Sequence, residues 1–205
     1  MAITKTSILV PWRTDHGHRA RVWNYLRPIW ENTEYELCVG TDTGEGPFNC
    51  SMAVNDAARQ ATGDVYVIMG ADLYPKQHAI DQAVKFTSYV HDWAPVFGGM
   101  DYLSRVDTDL VLARKTVALS CKPVTRDPTA MGIVAVRAAA WHEIDGMDER
   151  YSGWGWEDTA LVRSLRERFG GVAAPLHVGL SFWHPTGHRD LSPSNPNRRL
   201  FESES

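Results

Sequence analysis

The sequence predicts an α/β fold with a mostly parallel central sheet flanked by helices, and three observations lead there. Short apolar runs alternate with helix-patterned segments, at intervals of roughly 25–30 residues. Val65–Met69 is apolar without interruption, as a strand buried on both faces must be. Glycine, proline and small polar residues fall between the runs, where the chain has to turn. Strand–helix–strand order of this kind implies right-handed crossovers that lay helices over both faces of the sheet.

Ser7–Pro11 reads as a short strand stopped by proline. His16–Trp30 puts Val22, Tyr25, Leu26 and Ile29 on one helical stripe. Tyr35–Gly40 is a second strand, followed by a Gly-rich turn over 41–47. Ser51–Ala61 is a small-residue helix built on Met52, Ala53, Ala57, Ala58 and Ala61 and ended by Gly63. Lys76–Val90 is a further helix, and Ile133–Val136 and His177–Phe182 are strands. Trp156–Phe169 carries Leu161, Leu165 and Phe169 at i, i+4 and i+8, with Gly170-Gly171 as its stop. No internal repeat or linker interrupts residues 1–190, which read as one domain; 191–205 reads as a polar C-terminal tail, loose or ordered on binding.

A chain of 205 residues can bury a substantial core. The formal charge of −4 and the scatter of basic residues leave no electrostatic track for nucleic acid, so that partner is not expected. Three widely spaced cysteines (Cys38, Cys50, Cys121) form neither a disulfide framework nor a zinc site, which fits a reducing, cytoplasmic setting. The apolar run Ile8–Val10 before Pro11 is too short for a signal peptide or a membrane span.

The run Gly153-Trp154-Gly155-Trp156-Glu157-Asp158 carries most of the functional information. It sets two adjacent carboxylates in the first turn of a helix, where unpaired N–H groups and the helix dipole favour negative charge. The glycines let backbone approach a ligand, and the indoles offer flat apolar faces with one donor each. An ordinary acidic helix start also fits the two acids alone. Eight tryptophans are many for this length, and Trp12, Trp154, Trp156 and Trp183 fall at loops or strand ends. Such faces stack on sugar rings, although packing is the commoner use of tryptophan.

In sheets of this class ligands gather outside the carboxyl ends of the strands. There the sequence places Pro11-Trp12-Arg13, Thr41-Asp42 and Gly70-Ala71-Asp72. Arginine forks onto phosphate, and carboxylate oxygens suit Mg²⁺ or Mn²⁺. A loop acid or a helix cap before Pro75 is the lesser reading of Asp72. His184, after the last strand, supplies a nitrogen that could join the same cation, though it is one of eight histidines. Asp107-Thr108-Asp109 lacks a preceding buried strand and reads as a surface turn.

In this order, the motifs resemble GT-A fold glycosyltransferases, and among them the β-galactosyltransferases with their chondroitin-synthesising and bacterial or bacteriophage relatives. The resemblance rests on Ile8-Leu9-Val10-Pro11-Trp12-Arg13, on Ala53–Pro75 with Asn55 and the ending Gly-Ala-Asp-Leu-Tyr-Pro, on Phe97-Gly98-Gly99, and on Gly146–Asp158. It covers most of residues 5–190, with nothing recognisable over about 101–130. It implies Asp158 as the general base and Glu157 as the carboxylate holding the acceptor sugar. Trp154 would be the mobile loop tryptophan; Asp72 and His184 would bind Mn²⁺ (or Mg²⁺). Pro11, Trp12, Arg13 and Asp42 would hold the uracil and diphosphate, with Asn55, Gly99, Gly155 and Trp156 in the remaining substrate-binding set. Gly70 departs from the family, standing where the first acid of its Asp-x-Asp element belongs.

The resulting expectation is an inverting transferase that takes a UDP-sugar and a glycan, protein or small-molecule acceptor. The helix N-terminus would depress the Asp158 pKa and an apolar enclosure would raise it; the sequence does not say which wins. A retaining transferase of the same fold and a non-catalytic nucleotide-sugar binding module are the alternatives. Asp158 argues against the first and Gly70 argues for the second.

Overall fold

A computed structural model describes residues 5–42, 46–74, 76–115, 122–124 (backbone only), 133–173, 175–185 and 190–204. Thr43, Gly44 and Glu45 of the Gly-rich turn, Pro75, and Cys121 lie outside the described residues. The elements follow in the order β1 (Thr6–Pro11), α1 (His18–Glu31), β2 (Glu36–Gly40), α2 (Cys50–Gln60), β3 (Val65–Ile68) and α3 (Gln77–Tyr89). Next come β4 (Trp93–Pro95), β5 (Gly99–Tyr102), α4 (Arg105–Leu112), β6 (Lys122–Val124), β7 (Val134–Arg137) and α5 (Ala138–Glu143). The chain ends with α6 (Glu157–Phe169), β8 (Val178–Ser181) and α7 (Pro196–Ser203).

The main sheet has the order β2-β1-β3-β7-β4. β1 pairs in parallel with β2 and β3. β7 runs antiparallel to both β3 and β4, so four strands share one direction and β7 opposes them. The expected central strand at 133–136 is therefore present but reversed; hydrophobicity reports burial, and burial is the same for either direction. β1 and β3 are buried along their whole length. Their alternate residues feed two cores. Ile8, Val10, Val65 and Val67 pack under α1 and α3, while Leu9, Tyr66 and Ile68 face α2, α5 and α6. Helix α2 lies close on the sheet because its inner face is alanine and because Gly40 has no Cβ; one there would sit 2.1 Å from the Ala53 carbonyl.

Three features depart from the sequence reading. A second, three-stranded sheet, β6-β5-β8, stands beside the first, and of its strands only β8 is expected. Residues 107–109 are no surface turn: they lie in α4, capped by the Ser104 hydroxyl accepting from the Asp107 N–H, with Asp107 and Thr108 buried. The C-terminal segment is no loose tail, since it contains α7 with buried Asn195 and Asn197.

Glu36 locks the start of β2 to its surroundings. Its carboxylate accepts from the Ser7 hydroxyl (2.5 Å), the Thr62 N–H (2.7 Å) and the Thr62 hydroxyl (2.7 Å). Burial pushes its pKa up, but these bonds and the Lys5 charge outweigh burial and bring it down to about 2. A depressed pKa contributes stability above the ordinary carboxylate range, lost as pH falls towards that value. Glu36→Gln should therefore cost about 1–3 kcal/mol at neutral pH. In denaturant titrations the two proteins should converge near pH 2; an equal gap at both pH values would contradict the assignment.

Candidate active site

The carboxyl ends of β1, β2 and β3 open onto one rim. Trp12 donates its N–H to the Gly40 carbonyl (2.8 Å) and tilts its ring against Trp23, centroids 5.7 Å apart. Arg13 is committed within the protein: Nη1 pairs with Asp42 Oδ2 (3.2 Å), Nη2 donates to the Gly46 carbonyl (2.9 Å), and the guanidinium lies over the Phe48 ring. Asp42 is buried, and Oδ2 also accepts from the Asn49 N–H, whereas Oδ1 is shut off from solvent with no hydrogen-bond partner.

Asp72 and His184 are brought together by backbone pairing of two distant segments. Tyr74 N–H donates to the Leu180 carbonyl and Phe182 N–H to the Asp72 carbonyl, both at 2.9 Å. The side chains then meet, His184 Nε2 lying 2.9 Å from Asp72 Oδ2 while Nδ1 donates to the Pro185 carbonyl. Burial would raise the Asp72 pKa, but the hydrogen bond and charge of His184 pull it below the ordinary value. His184 is raised in turn, chiefly by that same bond. A Cβ at position 70 would sit 2.8 Å from Asp72 Oδ1, so the glycine leaves the Asp72 carboxylate the space in which it meets His184.

The aromatic loop is conformationally unusual. Gly153 (φ 78°), Gly155 (φ 100°) and Trp156 (φ 69°) all have left-handed backbone, and Trp156 does so as the residue that begins α6. The Trp154 and Trp156 rings meet edge to face at 6.3 Å. Glu157 and Asp158 follow in the first turn of α6. Burial raises the Glu157 pKa, opposed by its own N–H and that of Gly155; Asp158 is raised well above the carboxylate range by burial and by Glu157. Glu157 Oε2 is enclosed and unpartnered.

Cys50, at the start of α2, reports on the convergence. Burial pushes its thiol up, and the carboxylates of Asp158, Glu157 and Asp72 push it further while Arg19 opposes them. Groups from positions 72, 157 and 158 therefore act on one point, and His184 joins them through Asp72.

Asn55 is placed elsewhere. Its amide donates to the Met147 carbonyl (2.8 Å) and to Glu149, and accepts from the Met147 N–H, so it pins the 147–149 turn beside a separate groove with Trp141 and Asp148. Gly99 is buried within β5 opposite Val178, a packing position. Sequence reasoning missed Arg19, in the first turn of α1, whose charge acts on Asp72, His184 and Cys50 and whose Nε is buried without a partner. Its position in the first turn of the helix that follows β1 was the available signal. It also missed Asn197, which no local motif marks.

Comparison with known proteins gives the fold. A family model described as the N-terminal domain of galactosyltransferase matches residues 118–184, about a third of the chain. No curated protein matches in sequence. The Drosophila β1,4-galactosyltransferase 7, solved with manganese, UDP-Gal and xylobiose, superposes with TM-score 0.55 at 15% identity, over 88% of this chain and 65% of that one. Its catalytic domain with xylobiose gives 0.55 at 14% identity, over 98% of this chain and 80% of that one. Glucosyl-3-phosphoglycerate synthase from Mycobacterium tuberculosis, with Mn²⁺ and UDP-glucose, gives 0.50 at 14%, over 98% and 77%. The chain spans just under two thirds of the length of the first of these. It has the GT-A glycosyltransferase fold.

Proposed function

We propose that this chain is an inverting, metal-dependent glycosyltransferase that moves a sugar from a UDP-sugar to a hydroxyl of a glycan, protein or small-molecule acceptor. The reading rests on two side-chain pairs, the carboxylates Glu157 and Asp158 at the start of α6 and the Asp72–His184 contact, with the Asp158, Glu157 and Asp72 carboxylates all acting on the Cys50 thiol. The galactosyltransferase match and the ligands of the fold relatives support it. The unpaired thiols of Cys38 and Cys50 support a reducing, cytoplasmic setting in a bacterium or a phage-infected host. Among the described residues no helix is long and apolar enough to cross a membrane.

Asp158 takes the proton from the acceptor hydroxyl as that oxygen attacks the anomeric carbon. A base buried enough to have a raised pKa is a stronger proton acceptor once ionised. Glu157 orients the acceptor with Oε2, which has no hydrogen-bond partner among the described residues. Trp154 and Trp156 wall the site and exclude water that would otherwise compete for the donor. On the opposite side Asp72 Oδ2 and His184 Nε2 would hold Mn²⁺ or Mg²⁺, an oxygen–nitrogen pair that suits Mn²⁺ well. Among the described residues no third acid, histidine or cysteine joins them, which leaves coordination positions for phosphate oxygens and water. When bound, the cation would neutralise charge on the departing diphosphate. Arg19 adds a fixed positive charge on the same side.

The test is turnover with a panel of nucleotide sugars and acceptors in Mn²⁺, the product anomer being read by NMR. Inverted configuration is expected. A retained anomer would overturn the assignment of Asp158 as base in a single displacement. Tight UDP binding without transfer or donor hydrolysis would make the protein a binding module.

A further inference from the structure

We propose that the C-terminal helix α7 is a working part of the active site, with Asn197 as a positioning residue for the loop that delivers Glu157 and Asp158. The inference deepens the transferase reading and rests on it for its catalytic consequence. Asn197 is 5% exposed, and all of its amide is spent on the aromatic loop. Nδ2 donates to the Ser152 carbonyl (3.1 Å) and to the Gly155 carbonyl (3.0 Å), and Oδ1 accepts from the Ser152 N–H (3.3 Å). Two donors and one acceptor on a short side chain match those three groups; a carboxylate of the same shape has no donors to give.

The place that Asn197 holds is the strained one. Gly155 and Trp156 are both left-handed, and a bulky residue adopts that conformation only when its surroundings impose it. The captured carbonyl belongs to the peptide just ahead of Trp156. The N–H of that same Gly155 acts on the Glu157 carboxylate, opposing the rise in its pKa. One glycine thus faces the tail with its carbonyl and the carboxylate pair with its N–H.

The tail has its own anchorage, independent of Asn197. Arg163, on α6, donates Nη1 to the Phe201 carbonyl (2.9 Å), stacks over the Phe201 ring at 3.9 Å, and pairs with Glu204. Asn195 caps α7 by accepting from the N–H groups of Asn197 (2.8 Å) and Arg198 (3.3 Å), and donates to the Asp190 carbonyl (2.7 Å). Removing the Asn197 amide therefore releases the loop while α7 stays docked.

Asn197→Asp and Asn197→Ala test this with two readouts. Amide hydrogen exchange at Ser152–Asp158 should accelerate by about tenfold or more, with β1 and β3 unchanged, because the loop opens locally. The kcat should fall by roughly 10- to 100-fold, as loose placement of a reacting group does, while calorimetric UDP affinity stays within about twofold. Unchanged loop exchange would overturn the buttress whatever the chemistry, and faster exchange with unchanged kcat would overturn the positioning role. Parallel loss of UDP affinity and of β-strand protection in both variants would reduce Asn197 to a folding residue and also overturn it. A wild-type chain that transfers nothing would sink the transferase reading, while the exchange data would still decide whether Asn197 holds the loop.

Discussion

Asp158→Asn should lower kcat by about 10²–10⁴-fold, the usual contribution of a carboxylate base, and should raise the melting temperature. Asparagine keeps the shape of the side chain, so the aromatic loop and α6 have no reason to move. In the proposed function UDP is assigned to Asp72, His184 and Arg19 rather than to Asp158, so calorimetric UDP affinity should change by no more than about twofold. A variant that still transfers sugar at the wild-type rate would take Asp158 out of the base role.

The stability gain follows from the sign of the pKa shift. Burial and the neighbouring Glu157 raise Asp158, so folding favours its protonated form. Such a group supports the fold below its unfolded pKa, and that support is lost as pH rises through the folded value. Near neutral pH the native state carries part of the cost of a partly buried, like-charged carboxylate pair, and a neutral amide removes it. The gap in melting temperature should be largest above pH 7 and should close near pH 4, roughly the unfolded carboxylate pKa. The acid limb of kcat/KM in the wild type should lie above the ordinary carboxylate range and should be described by values that belong to the pair. A variant less stable than wild type at pH 8 would mean that ionised Asp158 has a partner that compensates it.

The legible parts of this chain were those in which local sequence and burial say the same thing. β3 is apolar throughout and is buried on both faces; the α6 stripe of Leu161 and Leu165 lands in the core. Hydrophobicity does not encode strand direction, so the reversal of β7 was invisible. Of the β6-β5-β8 sheet only β8 was read as a strand; β5 and β6, of four and three residues, carry no apolar run that marks them. The tail was misread for a related reason. Its composition is polar because Asn195 and Asn197 are buried to satisfy backbone groups of neighbouring segments, a use of asparagine that looks like solvation in one dimension. In the candidate site, the motif residues Asp72, Glu157 and Asp158 all act on the Cys50 thiol. Arg19 and Asn197 belong to no motif and are identified only by what they face.

Asp72→Ala should abolish most of the Mn²⁺-dependent increment in UDP affinity, a loss of roughly 10- to 100-fold in Mn²⁺. Among the described residues Asp72 supplies the only carboxylate oxygen paired with His184, and position 70 has no side chain to replace it. His184→Ala should give a similar loss, and the double variant should lose little more, because the two donors serve one ion. In EDTA the expectation reverses. There UDP leans on Arg19, whose positive charge Asp72 partly offsets, so Asp72→Ala should bind metal-free UDP as well as wild type or slightly better. The crossing of the two conditions is what identifies a metal ligand: a merely structural Asp72 would lower affinity with and without Mn²⁺ alike. Unchanged affinity in Mn²⁺ would remove Asp72 from the metal site and leave Arg19 as the main cation available to the diphosphate.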